Sequence, residues 1–499
     1  MEQTTGKLYA EYTTLLQKAA DLTNAAALLE WDHEVYMPHK GAGFRGRQLA
    51  TLAGQAHEIV TGQRFETILQ QLAAHELTSE QEANVKLSLS DFEKNKKLPP
   101  SFIETLSKQT TECFNDWVEA RKLNDYKVFE PSLTKMIALK QQQAELYGYE
   151  WHPYDPLLDE YEKGANVKML DAVFNKIKEK LPPVLAKIKT APQVADDCFK
   201  QHFPRQPQWN FSVEVLRSMG FDFEAGRQDY SEHPFTTSFS PLDVRVTTRV
   251  SENNYASLLW STIHEGGHAL YEQGLPTAQY GLPLGSPVSL SIHESQSRLW
   301  ENCIGRGYNF WVYFYPILQG YFPSQLGKVP LDSFYKAMNR VAPSLIRTEA
   351  DEVTYHFHVL IRYEIEKGLI ENSISAKELP EVWNALYEKY LGVTPPDAVR
   401  GVLQDVHWSH GSFGYFPTYS LGSFYAAQFY AHATQAIPGL QGSIAKGELS
   451  GLLQWLRENI HTHGRRYNSE ALCERVTGQK LDMDYFMDYI AQKYATIYL

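Results

Sequence analysis

His264-Glu265-Gly266-Gly267-His268 lies inside a segment, Trp260–Gln273, that has helical character. Two histidines four residues apart on a helix stand on one face, one turn above the other. Their imidazoles can then fill two positions of a tetrahedral Zn²⁺. A glutamate directly after the first histidine lies beside such a metal and is free to take a proton from a water that the metal activates. That combination is the working part of a metallopeptidase. The flanks are apolar, with Leu258, Leu259, Trp260 and Ile263 before the motif and Ala269, Leu270 and Tyr271 after it. The helix is therefore mostly buried, where unpaired imidazoles are uncommon. Gly266 and Gly267 each cost about 1 kcal/mol of helix stability relative to alanine. Their use is to let another segment or a substrate come close to the helix.

Two histidines leave such a metal one protein ligand short. The next stretch rich in ligand atoms is Ser291–Asn302, also helical in character. A loop containing Gly274, Pro276, Gly281, Pro283, Gly285 and Pro287 ends the first helix before it and permits a return. Glu294 lies 26 residues past His268, which suits a site of two histidines, one carboxylate and an open position. His293 and Glu301 compete for the role. On a helix His293 points away from Glu294, so the two cannot easily ligate together. Glu301 is two turns on and fits better as support for a ligating histidine.

Composition narrows the partners. The chain has 499 residues, 43% hydrophobic and 13% aromatic, with 30 tyrosines, as in an ordered globular protein with a large core. A net charge of −12 disfavours nucleic acid. Cys113, Cys198, Cys303 and Cys473 are scattered without paired spacing, which predicts a reduced, cytoplasmic protein. The N-terminal residues lack a signal-peptide core, and no apolar run approaches a membrane span.

The hydrophobic period is helical along most of the chain. Helices are expected at Leu8–Leu29, Gln48–Val60, Glu82–Lys94, Phe102–Leu123, Leu133–Leu146, Val167–Ile188 and Phe211–Gly220. They resume at Leu331–Val341, Pro343–Lys367, Glu381–Leu391, Leu421–Ala436, Ser450–Asn459 and Asp482–Tyr494. Between them Gly220–Arg249 holds short extended stretches, and Asp243–Val250 alternates with β-branched enrichment, a strand signal. A free edge on that strand could pair with an extended peptide and lay its scissile bond over the metal. There is no repeat or clear linker. The expected architecture is one domain, residues 1–499, mainly α, with a small sheet beside the His264–His268 helix.

Two further clusters carry chemistry. Arg347, in Ile346–Asp351, opens an expected long helix that also carries Tyr355, His356 and His358. It can pair with a peptide's terminal carboxylate, or with Glu349 or Asp351 as a structural bridge. Gly401–Tyr419 is rich in glycine, aromatics and histidine, and offers Tyr415, Tyr419, His407 and His410 as donors to a developing oxyanion.

With these motifs in hand, the chain resembles the carboxypeptidase Taq family of metallocarboxypeptidases. The resemblance rests on HEGGH (264–268), HESQSRLWEN (293–302), HPF (233–235), DVRVT (243–247), IRTEAD (346–351) and GVLQDVHW (401–408). Leu28–Asp32 with Met37-Pro38, and Thr477-Gly478 with Tyr489 and Lys493-Tyr494, extend it over essentially the whole chain. It implies a helical, saddle-like fold with a deep active-site groove. It also implies release of single C-terminal residues with broad specificity, disfavouring proline, by a homodimer with one Zn²⁺, or sometimes Co²⁺, per subunit. His264, His268 and Glu294 are then the ligands and Glu265 the general base. His233, Asp243, Arg347, Gln404 and His407 fall in motifs that line the groove. On that reading Glu265 takes the proton of the attacking water and passes it to the leaving amine. Tyr419 is the first choice for the oxyanion, and Arg347, then Arg245, for the terminal carboxylate. A dipeptidyl carboxypeptidase or an oligoendopeptidase would share the metal site. A metal-bound peptide-binding scaffold without turnover is a further alternative, disfavoured by the intact Glu265.

Overall fold

The computed structural model describes residues 2–498, with side chains from Thr5 onward. The chain gathers into two compact units, each built from separated segments. One comprises Met1–Lys96, Ala195–Met338 and Tyr425–Leu481, and the other Lys97–Val194, Asn339–Phe424 and Asp482–Leu499. Both are mainly helical, as the hydrophobic period requires. Among the described residues no helix is long and apolar enough to cross a membrane.

In the first unit, the N-terminal helices pack Tyr12 with Phe65, Ile68, Leu69 and Leu72 into an apolar cluster. The only strands among the described residues follow helix Arg205–Met219. They are β1 (Gly226–Tyr230), β2 (Thr236–Ser240) and β3 (Asp243–Thr248). Their order is β1-β3-β2, with β1 parallel to β3 and β2 antiparallel to it. This corrects the expectation of a free edge on the Asp243 strand. Val244, Val246, Thr247 and Thr248 are buried, so β3 takes the centre, where both edges are paired, and the open edges belong to β1 and β2.

Helix α1 (Tyr255–Glu272) follows the sheet and α2 (Leu290–Arg298) comes next. Ser289 caps α2 by accepting from the Ile292 amide at 3.1 Å. Leu299–Gly305 continues α2 as a π-helix, a wider turn of the kind frequent at functional sites. The two α1 glycines have different uses. A Cβ on Gly267 would lie 2.6 Å from the Ser297 Cα and 2.8 Å from the Gln296 carbonyl oxygen, so this glycine lets α1 and α2 touch backbone to backbone. A Cβ on Gly266 would meet only side chains, Leu216 at 2.6 Å and Met219 at 3.1 Å.

In the second unit, helices Pro100–Leu123 and Tyr126–Tyr147 form a hairpin. Asn124 adopts the left-handed conformation at the turn, and Asp125 caps the second helix. The expected helix over Pro343–Lys367 begins only at Tyr355, as α3 (Tyr355–Ile370). The Asp351 carboxylate accepts from the amides of Val353 and Thr354, both at 2.9 Å, and of Ala342 at 3.1 Å. These bonds hold the preceding chain in a turn, and Arg347–Glu349 is a single 3₁₀ turn rather than a helix opening. Helix α3 is buried nearly all round and carries Arg362 and Glu366 inward.

Candidate metal centre

Helix α1 places His264 and His268 on one face, with ring centroids 4.9 Å apart, and α2 brings Glu294 against them. Glu294 Oε2 lies 3.6 Å from His264 Nε2 and 3.4 Å from His268 Nε2. One ligand atom from each of the three falls within 4.8 Å of the others. Tetrahedral ligands about 2.0–2.1 Å from a Zn²⁺ stand about 3.3 Å apart, so the donors fit a divalent ion of that size.

Each of the three is held from behind. His264 Nδ1 sits 2.9 Å from Glu301 Oε2. Donating there fixes the Nδ1–H tautomer and leaves the Nε2 lone pair for a metal. The π turn carries Glu301, which also meets Arg298 and Arg306, each at 3.2 Å. Arg298 Nε donates to Glu294 Oε1 at 2.6 Å, so Oε2 remains for the metal. His268 Nδ1 lies 2.6 Å from His293 Nδ1, and His293 Nε2 lies 2.7 Å from Glu272 Oε1. His293 therefore stands behind His268, not beside Glu294 as a rival ligand.

The electrostatics suit a cation. Burial alone would raise the carboxyls of Glu294 and Glu301, but Arg298 and the neighbouring histidines hold both below their usual range. Burial pushes His268 down to about 3, which keeps its imidazole neutral and able to ligate. Burial raises the Glu265 carboxyl, while His264 and the Thr236 hydroxyl counter that rise. Thr236, on β2, reaches Glu265 Oε2 at 2.7 Å and its carbonyl oxygen at 2.9 Å. The sheet beside α1 thus fixes the aim of the glutamate. Sequence reasoning missed Thr236, Arg298, Glu272 and the use of His293. For Glu272 a signal existed, since it lies four residues past His268 on the same helical face.

The other candidate residues divide between the units. In the first, Asp243 accepts two bonds from Arg245, both at 3.0 Å. The guanidinium of Arg245 lies 4.3 Å from the Trp31 ring centroid. His233 is exposed on the β1–β2 connection.

In the second unit, Arg347 is 5% exposed. Its Nε and Nη2 donate to Asp405 Oδ1 at 3.0 and 2.8 Å, and its Nη1 to the Tyr355 hydroxyl at 3.2 Å. The structural bridge is thus to Asp405, not to Glu349 or Asp351. Arg362 Nε binds Asp405 Oδ2 at 2.7 Å, so two buried guanidiniums share one carboxylate. Gln404 Oε1 accepts from the Arg347 amide at 2.9 Å and from Arg362 at 2.8 Å. His407 Nε2 lies 3.2 Å from the Tyr419 hydroxyl, and burial followed by Arg347 lowers His407 to about 3. Tyr415 packs against both His407 and Tyr419. His410 is exposed and stacks on Phe114. Glu366 anchors this loop. It accepts from the Trp408 indole and the Gly414 amide, both at 2.8 Å, and from the Tyr154 hydroxyl.

Residues 11–494 match the family model described as carboxypeptidase Taq (M32) metallopeptidase. The chain is 40% identical to thermostable carboxypeptidase 1 of Thermus thermophilus over 98% of this chain and 99% of that one. It is 37% identical to carboxypeptidase 1 of Bacillus subtilis over 98% of each. The crystal structure of an M32 carboxypeptidase from Deinococcus radiodurans superposes with a TM-score of 0.97 at 38% identity, covering 99% of both chains. The full-length family match, relatives well above 30% identity and a metal-ready donor set together establish that the chain belongs to the carboxypeptidase Taq (M32) family and is a metallocarboxypeptidase.

Proposed function

We propose that the protein removes single residues from the free C-terminus of peptides, with broad side-chain tolerance. It would use one Zn²⁺ per subunit, replaceable by Co²⁺, at His264, His268 and Glu294. The carrying observation is the convergence of these three donors beside a buried Glu265 that Thr236 holds in place. When bound, the ion makes water acidic enough to lose a proton near neutral pH and polarises a peptide carbonyl. Glu265 accepts the proton of the attacking water on its carboxylate and delivers it to the leaving amine. Thr236 keeps that carboxylate aimed while it does so. Tyr419 is the oxyanion donor, steadied by His407 against its hydroxyl, with Tyr415 next to it.

Arg347 reads the terminal carboxylate. The support is charge, because Asp405 neutralises only one of the two buried guanidiniums, leaving one positive charge for an anion. Gln404 and Asp243 serve by fixing the arginines they bind, and Arg245 is the second choice. His233 is assigned to the groove on its motif alone, and His410 is a further oxyanion-donor candidate from the Gly401–Tyr419 loop. We also assign a cytoplasmic location, supported by four cysteines that form no disulfide among the described residues, and a homodimer, supported by the family resemblance.

The test is product analysis by mass after incubating the metal-loaded protein with a blocked dipeptide and a longer peptide. Stepwise loss of single C-terminal residues is expected, and release of dipeptides or internal cleavage would refute the assignment. Glu265→Gln should keep its metal and lose at least about 10²-fold in kcat.

A further inference from the structure

A ligating histidine that gives its Nε2 lone pair to a metal carries its proton on Nδ1, and that proton needs an acceptor. For His264 the acceptor is a carboxylate, Glu301. For His268 it is another imidazole, since Nδ1 of His268 faces Nδ1 of His293 at 2.6 Å. Two imidazole nitrogens at that distance cannot both be donors or both be acceptors. His293 can accept only if its own proton sits on Nε2. Glu272 Oε1, an acceptor 2.7 Å from that Nε2, holds the proton there. The chain of polarity runs from Glu272 through His293 to His268, and it leaves His268 Nε2 bare on the side where Glu294 Oε2 stands 3.4 Å away.

We propose that Glu272 and His293 form a relay whose task is to fix the tautomer and ring orientation of His268 for metal binding. His293 is a positioning residue, and Glu272 acts only through it. The arrangement explains why a histidine directly precedes Glu294. From α2, Glu294 enters the metal centre while His293 reaches behind His268 to the last residue of α1. The inference rests on the reading of His268 and Glu294 as metal ligands.

The test is metal affinity of the full-length, metal-free protein, measured for Zn²⁺ and Co²⁺ by competition with a chromophoric chelator. Melting of the metal-free variants serves as the folding control. His293→Ala should bind about 10- to 100-fold more weakly, the usual cost of losing a partner of a ligating histidine. Glu272→Ala should also weaken binding. The double variant should bind no worse than His293→Ala alone, because the carboxylate has nothing left to act on. His293→Asn keeps an acceptor near the Nδ1 position, so it should recover part of the loss and be indifferent to Glu272→Ala. If His293→Ala does not fold, the effect of Glu272→Ala, measured alone and again on top of His293→Asn, completes the cycle. Additive losses in the double variant would overturn the relay, since Glu272 would then attract the ion by charge alone. Unchanged affinity in His293→Ala would overturn it too. Glu294→Ala separates the two levels. Loss of metal there with retention in His293→Ala sinks only the relay, whereas retention in Glu294→Ala sinks the ligand assignment beneath it.

Discussion

Gly266 and Gly267 offer a matched pair of substitutions whose outcomes the packing sets apart. Either change to alanine gains about 1 kcal/mol of helix propensity. At Gly267 the new Cβ would stand 2.6 Å from the Ser297 Cα and 2.8 Å from the Gln296 carbonyl oxygen. These are backbone atoms and cannot swing aside, so α2 must retreat by about 0.8 Å to reach ordinary contact. Overpacking of this kind costs about 1–3 kcal/mol, so the net loss of stability is about 0–2 kcal/mol. The larger effect falls on the metal. Glu294 lies one turn before Ser297, and a retreat of that size opens both Glu294–histidine separations, now 3.4 and 3.6 Å. A misplacement of about 1 Å at a reacting centre costs about 10²-fold in rate. At Gly266 the obstacles are the ends of the Leu216 and Met219 side chains, which can change rotamer. Gly266→Ala should therefore be near neutral in stability and keep its metal. Urea denaturation of the metal-free proteins gives the stability term, and chelator competition with peptide hydrolysis gives the rest. Equal metal affinity in Gly267→Ala and the unmodified protein would refute the argument that this glycine sets the α1–α2 spacing.

Three other outcomes follow from the geometry. Glu294→Ala should lose metal outright, whereas Glu301→Ala, which removes only the partner of His264 Nδ1, should weaken it by about 10- to 100-fold; metal titration of both checks the order. Arg347→Ala should cut kcat/KM on free-acid peptides by roughly 10- to 150-fold, the worth of a charge-assisted bond of about 1.5–3 kcal/mol. Amidated peptides should lose little, and equal loss on both would make Arg347 purely structural in the Asp405 bridge. Stability should fall on acidification below about pH 6.5. His358 and His461 are buried, His407 is largely enclosed, and all three are held neutral well below their usual range, so the unfolded chain binds about three protons that the native state refuses. Glu366, raised to about 7 by burial, runs the opposite way, because the native state takes its proton first. These four groups together contribute a slope of about 2–3 kcal/mol per pH unit between about pH 6 and 5; urea midpoints that stay flat from about pH 7 to 5 would contradict this.

Much of this protein was readable in one dimension, and the reason is periodicity. The spacing of His264 and His268 specifies a shared helical face before any tertiary contact exists, and the apolar flanks require that helix to be buried. The mainly helical architecture and the small sheet ahead of α1 follow from hydrophobic period and β-branched content. The family motifs span the chain in order, so membership was visible as well. Strand order was not. Alternation marks Asp243–Thr248 as a strand but is blind to its neighbours, and pairing on both sides put it at the centre of the sheet. The late start of α3 was hidden because Asp351 spends its side chain on three backbone amides, a competition that helical periodicity does not register.

The partners of the working groups belong to the tertiary structure alone. Arg347 could have bridged to its neighbours Glu349 or Asp351. Packing gave it Asp405, 58 residues away, because burying a guanidinium requires a carboxylate in the same enclosed place. Likewise Thr236 reaches Glu265 across 29 residues, and His293 reaches His268 across 25. Sequence spacing fixes which side chains share a face of one element. Which side chain stands behind another depends on how two elements pack, and here that was set by a bare Gly267, a π turn and the edge of a three-stranded sheet.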